Sequence, residues 1–183
     1  MKHLSKWILH RLGWTLLDIE GAHPASSIIC VAPHTSNCDF FLGKLYYWAM
    51  GRKAGFLMKK EWFFFPLGFV LRAMGGVPIN RSRSGSTVSR VQHFFSAKTD
   101  RHIAITPEGT RKQTERWHKG FWHIAKGANV PIQLAVIDYK KKELGIFEVF
   151  HPTDDPDADL AYIQSKYHAE QARFPEKFAK TVK

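Results

Sequence analysis

The sequence has few cysteines and no long hydrophobic run. Its two cysteines, Cys30 and Cys38, lie eight residues apart, which is not a pair spacing typical of metal sites. We therefore expect neither a disulfide scaffold nor a metal centre, and we expect a reducing compartment. The longest strongly apolar run, residues 62–71, is interrupted by Pro66 and Gly68. A membrane-spanning helix needs about 20 apolar residues, so the sequence predicts no transmembrane helix.

A signal peptide is not expected either. Residues 1–17 mix basic with apolar side chains, and they contain neither a continuous apolar core nor a small-residue cleavage site. Together with the cysteine usage, this pattern predicts a cytoplasmic protein.

Acidic residues are scarce relative to basic ones. Asp and Glu number 16 against 27 Lys and Arg, which gives a formal net charge of +11, and aromatic residues make up 14% of the chain. Such a composition indicates an anionic partner: a nucleic acid, an anionic membrane or a phosphorylated substrate. The sequence contains no RNP-type aromatic motif, zinc-finger spacing or basic heptad helix. A nucleic-acid-binding module is therefore kept only as an alternative, and no nucleic acid partner is expected.

The pattern of apolar residues predicts an α/β fold. The length of 183 residues and the hydrophobic fraction of 44% indicate a single domain covering residues 1–183. Residues 1–20 predict an amphipathic helix, which either packs on the core or rests on a membrane. Strands and helices alternate in a core of residues 27–150, and residues 157–173 predict a closing helix. The alternation indicates a mixed, mostly parallel sheet flanked by helices.

Three polar loops follow predicted strands: residues 34–39, 80–85 and 107–111. In an open α/β sheet, ligands bind at the carboxyl ends of the strands. We therefore expect these loops to meet at one edge of the sheet and to carry the chemistry.

The first loop contains His34 and Asp39. On an unbroken helix these side chains would lie about 140° apart and could not touch, whereas a turn through Ser36 and Asn37 could bring them together. A carboxylate on one imidazole nitrogen would leave the other nitrogen free to act as a base. The alternatives are that Asp39 only caps a helix, or that His34, Cys38 and Asp39 bind a metal. Few other ligands are suitably spaced for a metal site.

The other two loops place arginines after short strands. Gly109 permits a turn that presents backbone N–H groups, and Arg111 offers a planar fork for phosphate oxygens. Arg81 follows the strand-like residues 76–79 in the same way. Each of these loops could also be an ordinary solvated basic loop.

The order of these blocks resembles the glycerolipid acyltransferase family, specifically the 1-acylglycerol-3-phosphate acyltransferases. The resemblance spans residues 28 to about 136. The matching blocks are, in order, the His-x-x-x-x-Asp motif at His34 and Asp39, the Gly-Val-Pro-Ile-Asn-Arg block at residues 76–81, the Pro-Glu-Gly-Thr-Arg block at residues 107–111 with Thr106 in place of the family's Phe, and the Val-Pro-Ile strand opening at residues 130–132.

The resemblance implies an acyltransferase that moves a fatty acyl group from acyl-CoA or acyl-carrier protein to a lysophospholipid-type hydroxyl. The favoured acceptor is 1-acylglycerol-3-phosphate, which would give phosphatidic acid. His34 would act as general base, Asp39 would orient it, and no acyl-enzyme would form. The lack of a Gly-x-Ser-x-Gly nucleophile motif agrees with direct attack. The residues implied to bind the acceptor phosphate are Arg81, Glu108, Gly109 and Arg111. No cofactor is implied beyond the acyl donor.

Two departures from the family bear on membrane attachment and on the acceptor. Only 33 residues precede His34, and they predict a basic amphipathic helix instead of the hydrophobic hairpin of many members. We therefore expect peripheral attachment to an anionic membrane. Asn80 stands where an acidic residue is common, which leaves another lyso-acceptor, such as an ornithine-type lysolipid, open.

Residues 62–71 could be core, acyl-chain tunnel or membrane wedge. A noncatalytic lipid-binding protein of the same fold is the remaining alternative, and the intact His34 and Asp39 argue against it.

Overall fold

A single seven-stranded sheet forms the centre of the molecule. The computed structural model describes residues 1–21, 23–79, 84–96 and 100–179, and the strands below are those of this part of the chain. The strand order is β1-β7-β6-β2-β5-β3-β4. The strands are β1 (Thr15–Leu17), β2 (Ser27–Ala32), β3 (Gly55–Lys59), β4 (Gly76–Ile79), β5 (His102–Ile105), β6 (Ile132–Asp138) and β7 (Glu143–Phe150).

Most neighbouring strands are parallel, which confirms the predicted fold class. β2 pairs in parallel with β5 and β6, and β3 pairs in parallel with β4 and β5. β6 and β7 form the predicted antiparallel pair, and β1 runs parallel to β7 at the edge. β2 is apolar almost throughout because both of its faces are covered, as is typical of a parallel sheet with helices on both sides.

Helices cover both faces of the sheet and make two apolar clusters. Alternate residues of β2 point to opposite faces, so Ile28 and Cys30 pack with Phe121 on one side, while Ile29 packs with Leu9 and Tyr46 on the other. No helix among the described residues is long and apolar enough to cross a membrane. The helices are α1 (Lys2–Arg11), α2 (Cys38–Met50), α3 (Leu67–Ala73), α4 (Ser84–Ser96), α5 (Gly120–Ala128) and α6 (Pro156–Ser165), with short 3-10 turns at Lys60–Trp62, Ala169–Gln171 and Pro175–Lys177.

The two terminal segments differ from the prediction. The helix expected over residues 1–20 ends at Arg11, because Gly13 adopts a left-handed conformation with φ of 78° and residues 15–17 pair with β7 as an edge strand. The helix expected over residues 157–173 ends at Ser165. Just beyond it, the buried Tyr167 donates its hydroxyl hydrogen to the carbonyl oxygens of Cys30 and Ala135, which turns the chain back toward the sheet.

The parallel strands deliver their loops to one edge of the sheet. β2, β3, β4, β5 and β6 all run in the same direction, so their carboxyl ends lie together. We call this the carboxyl edge. The loops after β2 and β5 carry residues 34–39 and 107–111, and the last described part of the chain, residues 169–179, also contacts this edge through Tyr139 and Thr35. We call residues 169–179 the C-terminal strap.

Candidate active site

The loop between β2 and α2 brings His34 and Asp39 together. β2 ends at Ala32, and α2 begins at Cys38, so Asp39 lies in the first turn of a helix. The Nδ1 atom of His34 is 3.1 Å from Oδ2 of Asp39. Because a carboxylate oxygen only accepts hydrogen bonds, Nδ1 donates, and the neutral ring keeps Nε2 unprotonated. This tautomer suits a general base.

Asp39 is buried and held through both of its carboxylate oxygens. Oδ2 accepts hydrogen bonds from the backbone N–H groups of Thr35, at 3.0 Å, and Ser36, at 2.9 Å. Oδ1 accepts a hydrogen bond of 2.7 Å from the hydroxyl of Tyr139. The carboxylate is 3% exposed, so these donors replace the water that it loses on folding. Its position and its rotation are therefore both fixed relative to the imidazole.

Glu108 supports the backbone of His34. Its Oε1 atom accepts a hydrogen bond of 2.6 Å from the His34 N–H, and the residue is 1% exposed. Burial raises the pKa of Glu108 to about 7, the negative charge of Asp39 raises it further, and the amides of His34 and Ala179 oppose the rise. Glu108 was predicted to bind the acceptor phosphate. The structure places its side chain against the backbone of the loop that carries His34.

Arg111 reaches the same loop from β5. Its guanidinium donates a hydrogen bond to Oδ1 of Asn37, which lies between His34 and Asp39 in the chain, and the side chain is exposed. A guanidinium at this place can receive an anionic group of a substrate close to the imidazole. Arg81, the other predicted cation, lies outside the described residues.

Gly109 shapes the turn that carries Arg111. Its φ of 66° is left-handed, and its N–H donates to the Thr106 carbonyl oxygen at 3.1 Å. A Cβ atom at this position would lie 2.8 Å from Cδ2 of His118. The glycine is therefore required both by its conformation and by the close approach of His118.

Two residues of the site were not predicted from the sequence. Tyr139 follows β6, and its N–H donates to the Gln171 carbonyl oxygen at 2.9 Å, so the C-terminal strap holds the residue that holds Asp39. Arg173 of the strap contacts Sγ of Cys38 and lies 3.5 Å from Oγ of Ser36. Tyr139 could have been suspected, because it directly follows β6, which is next to β2 in the sheet. Nothing in the sequence pattern indicates that Arg173 returns to this loop.

The site combines the His34 imidazole with a fixed carboxylate. The guanidinium groups of Arg111 and Arg173 contact the loop that carries both. Nε2 of His34 can take a proton from a hydroxyl group, and Asp39 then stabilises the imidazolium. Within residues 1–21, 23–79, 84–96 and 100–179, no three His, Cys, Asp or Glu side chains gather as a metal site. Cys38, which the metal alternative would need as a ligand, contacts Arg173.

An α/β domain with a paired histidine and aspartate at the carboxyl edge of its sheet is typical of enzymes, because ligands bind at this edge and an imidazole can act there as a base. A family model described as Acyltransferase matches residues 16–138, about two-thirds of the chain, and the protein belongs to this family. The match confirms the predicted resemblance, and it includes both His34 and Arg111. No curated protein and no solved structure matches the chain.

Proposed function

We propose that this acyltransferase moves a fatty acyl group from acyl-CoA or acyl-carrier protein to the hydroxyl of a lysophospholipid, with 1-acylglycerol-3-phosphate as the favoured acceptor. The observation that carries the proposal is the contact of 3.1 Å between His34 and the buried Asp39. Arg111 hydrogen-bonds to Asn37 between them and supports an acceptor with an anionic head group.

The reaction needs one base and no covalent enzyme intermediate. Nε2 of His34 takes the proton of the acceptor hydroxyl as its oxygen attacks the thioester carbonyl carbon. A tetrahedral intermediate forms and collapses with breakage of the carbon–sulfur bond. The departing thiolate takes the proton from the His34 imidazolium, so the products are an ester and a free thiol. Asp39 stabilises the imidazolium between the two proton transfers.

The acceptor phosphate is assigned to the cations around the catalytic loop. Arg111 supplies a planar pair of N–H donors, and family resemblance adds Arg81. Arg173 brings a further positive charge to the same loop. Gly109 serves by shaping the turn, since its N–H is used by Thr106. Glu108 serves by holding the His34 backbone.

The acyl donor is the co-substrate, and the proposed chemistry needs no metal or bound cofactor. The acceptor is a membrane lipid, so we propose a cytoplasmic protein that attaches peripherally to an anionic membrane. The formal net charge of +11 supports this attachment electrostatically.

Thioester release in the presence of lyso-acceptors tests the proposal. His34→Ala should lower turnover by about 10²–10⁴-fold, the usual contribution of a general base, without loss of the fold. His151→Ala is the matched control, because His151 is exposed at the opposite edge of the sheet, just after β7 ends. Turnover near the wild-type rate in His34→Ala would exclude His34 as the base.

The acceptor panel distinguishes the alternatives. It should contain lysophosphatidate, an ornithine-type lysolipid and monoacylglycerol, each dispersed in detergent. Lipid binding without thioester release would favour the noncatalytic lipid-binding protein. A salt-sensitive nucleic acid shift without transfer would favour the nucleic-acid-binding module.

A further inference from the structure

The segment after β3 exposes a group of large aromatic side chains. Trp62 is 54% exposed, Phe64 57%, Phe65 91% and Phe69 77%. The sequence allowed this segment to be part of the core, but these side chains are on the surface. Monomeric soluble proteins seldom expose so many large aromatic side chains within one short segment, so the group indicates a contact with another apolar phase or molecule.

The exposed aromatics are carried by a folded turn. Gly68 packs directly on the backbone of Phe63, because a Cβ atom there would lie 2.5 Å from the Phe63 carbonyl oxygen. The Phe63 N–H donates to the Lys60 carbonyl oxygen at 3.0 Å, and the Arg72 guanidinium lies 5.4 Å from the centre of the Phe63 ring. Phe63 is therefore partly buried within this turn, while Phe64 and Phe65 are exposed on it.

This surface lies at the same edge of the sheet as the candidate active site. β5 is the only strand between β2 and β3 in the described sheet, so the ends of β2 and β3 are separated by two strand spacings, roughly 10 Å. Phe41, in the first turn of α2, is 61% exposed and follows Asp39 by two residues. Its neighbour Phe40 packs against Phe56 of β3, with ring centres 4.7 Å apart. We call Phe41, Trp62, Phe64, Phe65 and Phe69 together the aromatic edge.

Positive charge surrounds the aromatic edge. Lys59 and Lys60 are exposed at the end of β3, and Arg72 is exposed on α3. Glu61 is the acidic residue within this stretch, so the cations are in excess. Aromatic side chains bordered by Lys and Arg are typical of surfaces that enter the head-group region of an anionic bilayer.

We propose that the aromatic edge docks the protein on an anionic lipid bilayer, with Phe65 and Phe69 inserted below the head groups. Docking in this orientation turns the carboxyl edge toward the membrane, so that a lipid acceptor reaches His34 without leaving the bilayer completely. The assignment rests on the proposed function, because it makes the membrane the source of the acceptor. It gives residues 62–70 the role of membrane wedge.

A second apolar surface provides the comparison. The outward face of α1 exposes Leu4, at 58%, and Trp7, at 61%, next to the exposed cations Lys6 and Arg11. The sequence left open whether this helix packs on the core or rests on a membrane. α1 packs on α2 over one face of the sheet, whereas the aromatic edge lies beside the carboxyl-edge loops. The two surfaces can be tested with matched pairs of substitutions.

The test measures binding to vesicles of phosphatidylcholine alone and of an equimolar mixture with phosphatidylglycerol. Phe65→Ser with Phe69→Ser should lower the partition coefficient on the anionic vesicles by at least about tenfold, since each exposed aromatic loses its apolar contact with lipid. Leu4→Ser with Trp7→Ser is the control and should bind as the wild type does. Thermal unfolding should be unchanged in both variants, because the substituted side chains are exposed in the folded protein.

Acyl transfer separates a failure of this assignment from a failure of the proposed function. The Phe65 and Phe69 variant should lose transfer to an acceptor embedded in anionic vesicles and keep transfer to the same acceptor in detergent. If the protein binds vesicles through the aromatic edge but the wild type has no transfer activity, the proposed function is refuted and the docking surface is supported.

Three results would overturn the docking surface. One is wild-type binding by the Phe65 and Phe69 variant. The second is loss of binding by the Leu4 and Trp7 variant alone, which would assign docking to α1. The third is that the wild-type protein binds no vesicles but forms a dimer, and that the Phe65 and Phe69 substitutions dissociate this dimer. The aromatic edge would then be a contact between two copies of the chain.

Discussion

Tyr139→Phe tests whether the rotation of Asp39 matters for catalysis. The substitution removes a single hydroxyl group, which donates a hydrogen bond of 2.7 Å to Oδ1 of Asp39. Burial raises the pKa of Tyr139 strongly, and the hydrogen bond to Asp39 and its negative charge raise it further. The hydroxyl therefore stays protonated at neutral pH and acts as a donor. The ring packs edge-on against Trp14, with centres 5.3 Å apart, and Phe keeps this contact.

The structure sets the size of the effect. A hydrogen bond to a charged group contributes about 1.5–3 kcal/mol. Asp39 keeps its Oδ2 partners in the variant, namely His34 and the amides of Thr35 and Ser36, so the loss should lie at the lower end of this range. If removal of the bond destabilises the transition state by about 1.4 kcal/mol more than it destabilises the free enzyme, kcat/KM falls tenfold. We expect the decrease in kcat, with KM nearly unchanged.

The pH profile distinguishes this effect from a loss of stability. The acidic limb of kcat/KM reports the pair of imidazole and carboxylate, so it should shift in Tyr139→Phe if the hydroxyl of Tyr139 acts on this pair. A merely structural role would leave the limb in place. The assay is thioester release with lysophosphatidate in detergent over a pH series.

Tyr162→Phe is the matched control for this measurement. The Tyr162 hydroxyl also donates a hydrogen bond of 2.7 Å to a carboxylate, that of Glu148. This bond lies on the exposed surface, and both residues are far along the chain from residues 34–39. This variant should keep wild-type kinetics. The reasoning is refuted if Tyr139→Phe also keeps the wild-type kcat and pH profile, or if it changes KM alone.

Three further predictions concern Glu108, Tyr47 and Arg111. Burial raises the pKa of Glu108 from 4.5 to about 7, so the folded state binds an extra proton between these two pH values. The free energy of unfolding should therefore fall as the pH rises through this window, by at most roughly 3 kcal/mol. Urea unfolding over a pH series should show this fall in the wild type and its loss in Glu108→Gln, and parallel curves would contradict it. The Tyr47 hydroxyl is buried without a hydrogen-bond partner among the described residues, so Tyr47→Phe should raise the free energy of unfolding by about 1 kcal/mol in the same urea assay; a decrease would contradict the desolvation argument. Arg111→Lys keeps the charge but loses the planar fork, so the KM for lysophosphatidate should rise about tenfold while the KM for monoacylglycerol stays constant, and equal changes for both acceptors would remove Arg111 from the phosphate site.

The parts of the fold that follow from local pattern could be predicted from the sequence. The apolar run of β2 and the breaks around it indicate a buried strand, and alternation with helices indicates a parallel sheet. From that topology it follows that the loops after β2 and β5 meet at one edge. This is why His34 and Arg111, which are far apart in the chain, could be assigned to one site.

The parts that depend on distant partners could not be predicted. β1 has only three residues, and its apolar spacing also suits a helix, so the edge of β7 decides its conformation. Residues 157–173 have helical spacing, but Tyr167 is held by the carbonyl oxygens of Cys30 and Ala135 after α6 ends. In the site, the bond from Tyr139 to Asp39 spans 100 residues, and no local signal encodes it.

The loop of residues 34–39 and its support come from different parts of the chain. The family match ends at residue 138, so it includes the His34 and Asp39 pair but excludes Tyr139 and the C-terminal strap. The loop itself supplies the donors to Oδ2 of Asp39, whereas Tyr139 supplies a donor to Oδ1. The C-terminal strap holds both Tyr139 and the loop. The Gln171 carbonyl oxygen accepts a hydrogen bond from the Tyr139 N–H, and the Phe174 N–H donates to Oγ1 of Thr35. The loop therefore determines the distance between the His34 imidazole and the Asp39 carboxylate, and the residues beyond the family match determine how that carboxylate is rotated.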